Sequence, residues 1–95
     1  MKTVYVVYET VMNDQHNAYG CQAITTILRV CESLSAAKRT LNSRIDEWGK
    51  QYLETKGENE YADWDEPIYI SSLVREQSNG ITNYVDICIA QQQIR

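Results

Sequence analysis

The stretch Tyr69-Ile70-Ser71-Ser72-Leu73-Val74-Arg75-Glu76-Gln77-Ser78-Asn79-Gly80-Ile81-Thr82-Asn83-Tyr84-Val85-Asp86-Ile87-Cys88-Ile89 decides how this chain folds. Asn79-Gly80 is the favoured pair for a two-residue type I′ turn, and it lies between two runs rich in Ile, Val and Tyr. If Ser78 pairs with Ile81, Val74 opposes Val85, Ser72 opposes Ile87 and Ile70 opposes Ile89. Residues directly opposite on neighbouring strands share a face, so one face of this hairpin is almost wholly aliphatic. The other face carries Tyr69, Ser71, Leu73, Arg75, Tyr84, Asp86 and Cys88.

Two more strands are expected upstream. Residues 3–12 are rich in Val, Tyr and Thr, which suit a pleated surface. Val4 and Val6 fall on one side and Tyr5 and Val7 on the other, so this strand belongs in the interior of a sheet. Residues 13–20 have turn composition, and residues 21–31 form a second strand. Ser33 is placed to cap a helix. From there Leu34, Ala37, Leu41, Ile45, Trp48 and Tyr52 recur at steps of three and four, which is one face of a helix. With Gly57 as its stop, the helix spans 34–56 and is about 34 Å long at ~1.5 Å per residue. Gly49 lies inside that pattern, where it bends the helix or ends it early. Residues 58–67 show no periodicity and read as a surface loop.

These elements predict a single α+β domain over residues 1–95, with chain order ββαββ. The sheet is four-stranded and antiparallel, in order 2-1-3-4, with one long helix packed on one face. No element remains for the opposite face. An uncovered apolar sheet face marks an interaction or dimer surface, and Tyr5, Val7, Ile27, Leu73 and Tyr84 are assigned to it.

Charge supplies a second expectation. Eight of the thirteen acidic residues fall in residues 46–66 against only Lys50 and Lys56, a local balance of −6 in a chain of net charge −4. Tyr61 and Trp64 are interleaved with the acids. Such a segment steers toward a basic protein surface and anchors there through its aromatic rings. The partner-binding residues expected are Glu54, Glu58, Glu60, Tyr61, Asp63, Trp64, Asp65 and Glu66. Direct binding to nucleic acid needs clustered Lys and Arg, and the nine basic residues are scattered.

Nothing in the sequence carries catalysis. There is no glycine-rich phosphate loop, no G-x-S-x-G and no H-E-x-x-H. His16 is the only histidine, and the three cysteines, Cys21, Cys31 and Cys88, lack metal-ligand spacing. The expectation is a non-enzymatic chain with no catalytic residue, cofactor or metal. The cysteines read as reduced, buried thiols, and no apolar run reaches the ~20 residues of a membrane span. A cytoplasmic protein is expected.

Lys2-Thr3-Val4-Tyr5-Val6-Val7, a polar turn, a strand ending at Cys31-Glu32-Ser33-Leu34 and a helix opening Ser35-Ala36-Ala37-Lys38 resemble a family group. It comprises small accessory proteins of phages and mobile elements, including anti-CRISPR-like and other anti-defence inhibitors. The resemblance covers about residues 2–41. It implies an inhibitor that blocks a nucleic-acid-binding surface or an oligomer interface on a host complex, and it transfers no catalytic residues.

Overall fold

A computed structural model describes residues 2–14, 22–58, 67–76 and 82–94. They form β1 (Lys2–Asp14), β2 (Gln22–Cys31), α1 (Leu34–Trp48), β3 (Leu53–Glu58), β4 (Pro67–Glu76) and β5 (Thr82–Ile94). The five strands make one antiparallel sheet in the order β2-β1-β5-β4-β3, with α1 packed on one face.

The expected four-stranded ββαββ sheet is therefore corrected to five strands, and its order is corrected as well. The strand beside β1 is β5, not β4, along an unbroken register from Lys2↔Ile94 to Asp14↔Thr82. The burial pattern explains the choice. In β5, Val85, Ile87 and Ile89 are fully buried, and Cys88 is buried on the opposite face. A strand apolar on both faces gains most from an interior place. The more polar β4 goes outward and takes β3 as its other neighbour. β1 is flanked on both sides, in keeping with its two-sided apolar content.

The helix is shorter than the 34–56 span. Ser33 caps it, its hydroxyl accepting a hydrogen bond from the Ala36 amide at 3.2 Å. It ends at Gly49, whose amide donates to the Ile45 carbonyl at 3.2 Å, with φ 91° and ψ 176°. That conformation is almost exclusive to glycine, because a Cβ would clash with the backbone. Residues 53–56, expected as helix, form β3 together with Gly57, expected as the helix stop, and Glu58, expected in a loop; β3 pairs with β4 from Leu53↔Val74 to Glu58↔Tyr69.

The hairpin register differs by one residue from the expected one. Leu73 opposes Val85 and Ser71 opposes Ile87. The last described pair, Glu76↔Thr82, leaves an odd number of residues between its members, whereas a two-residue turn requires an even number. The turn at Asn79-Gly80 itself lies outside the described residues. The slip turns Leu73 toward the helix, where it is almost wholly buried, and brings Tyr69 under Lys38, whose ammonium lies 5.2 Å from the ring centroid. Side-chain burial beneath α1 accounts for this register of the two strands.

The core lies between α1 and the sheet: Val7, Cys31, Ala37, Leu41, Leu73, Val85, Ile87 and Ile89. Full burial of each Leu or Ile contributes about 1.5–3 kcal/mol. Leu34, Ile45 and Trp48 extend the helical stripe into this cluster, and Tyr52, just past the helix, packs edge-on against Trp48 with centroids 5.6 Å apart.

The two helix-stop glycines considered above make a direct comparison. Gly49→Ala is expected to destabilise by about 1–3 kcal/mol in urea denaturation, because alanine cannot hold that φ and ψ without strain. Gly57→Ala, facing open space in a strand, is expected to be neutral or stabilising by up to about 1 kcal/mol.

Candidate functional site

The odd-numbered side chains of β1 face the helix, and one of them is an acid. Glu9 is 4% exposed, beneath the second half of α1. Its Oε2 accepts hydrogen bonds from Arg44 Nε at 2.6 Å and Trp48 Nε1 at 2.9 Å, and its Oε1 accepts from Arg44 Nη2 at 3.0 Å. Arg44 Nη1 donates to Glu47 Oε2 at 2.6 Å, and the guanidinium lies 5.3 Å from the Trp48 ring centroid. Burial pushes the Glu9 carboxyl upward, but the hydrogen bonds from Arg44 and Trp48 and the Arg44 charge outweigh it and hold the acid below its usual range. With three donors on it, this carboxylate is an anchor and not a proton acceptor. Sequence reading passed over it, yet a signal existed: an acid interrupts the apolar run of an interior strand, and an arginine sits four residues before a helical Trp.

On the opposite face, Tyr8 lies beside Cys88 and Asp86. Burial, with the nearby thiol and carboxylate, pushes the Tyr8 phenol up to about 12. Burial also raises the Cys88 thiol, with Asp86 adding to it and the Tyr8 hydrogen bond opposing. Both groups are therefore protonated at neutral pH, so neither is a ready nucleophile. Cys31 faces the helix and Cys88 the other side, and both are buried. Two thiols on opposite faces of a sheet do not meet the geometry of a bridge. Among the described residues, no group of three or more His, Cys, Asp and Glu converges as a metal site.

What these elements do display is surface. The acidic end is built where α1 stops. No basic residue occupies the last turn, so the negative end of the helix dipole is unneutralised there. Beside it Ile45, Asp46, Gly49, Lys50 and Glu54 line an open groove of about 410 Å³. β3 forms that edge of the sheet, and all six of its residues are exposed. Of the expected partner-binding residues, Glu54 and Glu58 lie on β3 on the helix side, with Lys56 between them and 3.3 Å from Glu54. Glu60, Tyr61, Asp63, Trp64, Asp65 and Glu66 lie outside the described residues.

The expected dimer face is not one surface. Val7 and Leu73 are core, and Tyr5 packs against that core on the helix side. Ile27 and Tyr84 lie on the face away from the helix, as the pairings Tyr8↔Ile27 and Val74↔Tyr84 place them. The reason is the alternation of β1: the helix covers the side of Tyr5 and Val7, not that of Val4 and Val6. The open face therefore consists of Val6, Tyr8, Ile27, Val30, Leu53, Val74 and Tyr84 among others, with Ile27, Val30 and Leu53 well exposed. A slip at Val7/Tyr8 leaves Leu28 as the extra residue of a bulge in β2.

No helix among the described residues is long and apolar enough to cross a membrane. No family model matches the chain, and no curated protein or solved structure matches it.

Glu9 sets an acid-side dependence. Its pKa is lower folded than unfolded, so the stability it contributes is complete above the unfolded value of about 4.3 and is lost as pH falls through the folded one. Glu9→Gln is expected to cost about 1–3 kcal/mol, because the charge-assisted hydrogen bonds from Arg44 and Trp48 are weakened while Arg44, partly exposed, keeps Glu47. In urea titrations from pH 7 to pH 3, the variant is expected to lose less stability over the acid range than the parent.

Proposed function

We propose that this chain is a non-enzymatic protein-binding module that docks its acidic end on a basic partner surface. The observation that supports this reading is the groove between the end of α1 and β3. There Asp46, Glu54 and the carboxyl end of the helix, which has no basic residue in its last turn, face one space. A Lys or Arg side chain of a partner would compete there with Lys50, which lines the same groove, and with Lys56, 3.3 Å from Glu54. The acidic sequence continues from Glu58 through Glu60, Asp63, Asp65 and Glu66, which lengthens the field that steers encounter. Tyr61 and Trp64 supply the aromatic anchors. The partner class that suits this surface is a protein whose basic groove binds nucleic acid, as an anti-defence inhibitor would occlude in the cytoplasm.

The reading has a salt signature. Tagged protein used to capture a partner is expected to lose it progressively as ionic strength rises, since exposed charges are screened beyond about 8 Å at physiological salt. Glu54→Lys with Asp63→Lys is expected to abolish capture, and Trp64→Ala to weaken it at every salt concentration. Affinity that stays flat across the salt series, or capture that survives charge reversal, would refute it.

A further inference from the structure

The two edges of the sheet are built differently. β3 is six residues long, and Glu54, Lys56, Gly57 and Glu58 make it charged and poor in strand formers. Such a composition discourages another strand from pairing there. β2, the other edge, is ten residues long and carries one charge, Arg29. It also carries large apolar side chains in water on both sides: Ile24 is 67% exposed on the helix side, and Ile27 and Val30 are 66% and 54% exposed on the open side. Ile24, Ile27 and Val30 are three of the five exposed large apolar residues among those described, so the exposure is concentrated on this edge. Between the amino end of β2 and the bulge at Leu28, the run Ile24-Thr25-Thr26-Ile27 is β-branched at every position. The usual protections of an edge are absent from that run.

We infer that a second copy of this chain pairs along β2, edge to edge about a two-fold axis near Thr26, joining two five-stranded sheets into one. Two observations select a second copy as the occupant. An antiparallel edge is self-complementary, since each strand offers the other the same alternation of amides and carbonyls. Charge favours it, because β2 lies at the opposite end of the sheet from β3, which carries Glu54 and Glu58. Pairing at β2 holds the two acidic ends apart, whereas pairing at β3 would oppose like charges. With Thr26 against its own copy, Ile24 comes opposite Leu28 on the helix side and Ile27 comes beside Thr25 on the open side. This interface is separate from the acidic end and stands whether or not that end binds a partner.

Sedimentation equilibrium on the full chain tests it. The parent is expected at twice the 11.0 kDa chain mass. Ile24→Lys with Ile27→Lys is expected at the single-chain mass with unchanged circular dichroism, because both side chains are exposed. Leu53→Lys, the same change at the β3 edge, is expected to leave the dimer intact. Thr26→Cys probes the axis without adding charge, and mild oxidation is expected to give a disulfide-linked dimer. A monomeric parent, a dimer that survives the double lysine substitution, dissociation by Leu53→Lys, or failure of both Thr25→Cys and Thr26→Cys to cross-link would each overturn the inference. A monomeric parent that instead bound an extended peptide at β2 would also overturn it, by naming a different occupant.

Discussion

The ladder between β1 and β5 is the constraint on which the structure depends. Thirteen residues of each strand lie in register without interruption, joining the two ends of the described chain through the middle of the sheet. Every other element is placed by reference to it. β2 adds to the free side of β1, β4 to the free side of β5, and α1 lies over Val7, Val85, Ile87 and Ile89, where the two strands present their largest continuous apolar area. Closing so long a loop costs conformational entropy that no local preference repays. The return comes from backbone pairing together with complete burial of the side chains beneath the helix.

The polar group in that interior has a specific task. Helix and sheet meet through apolar side chains, which define a distance but only weakly define an orientation. Glu9 adds direction. A guanidinium and an indole N–H, one helical turn apart, converge on one carboxylate and fix the rotation of α1 over β1. A buried ion pair of this kind gives little net stability but penalises every arrangement that separates its members. Ser71 is the contrasting case, a buried hydroxyl with no hydrogen-bond partner among the described residues. Its small volume under the helix makes room for Leu73 and Tyr69 on either side.

Much of the architecture was legible in the residues, and the failures have identifiable physical causes. The interior place of β1, the cap at Ser33 and the stripe from Leu34 to Trp48 follow from local patterning, and each is found. β3 was unreadable because Leu-Glu-Thr-Lys-Gly-Glu has neither strand-forming composition nor a buried face; it becomes a strand only because β4 offers an unpaired side. Continuing the helix through Gly49 gave weight to Tyr52, which does pack against the stripe, though from beyond the helix. Strand order and hairpin register differ from local patterning for a common reason, since both depend on which face meets α1, a tertiary fact that the turn residues do not encode. As for the candidate sites, the acids could be counted, but the groove depends on where the helix stops and on β3 being an edge. The apolar exposure on β2 depends on its being the other edge.

The position of β5 also bears on how the molecule is made. Translation proceeds from the amino end, so the strand in the middle of the sheet leaves the ribosome after the four other described strands. Without it, the pair β1 and β2 and the pair β3 and β4 have no common neighbour in the sheet. The sheet is therefore completed only once β5 has been made, and a chain cut short before residue 82 would lack the strand that joins the two pairs.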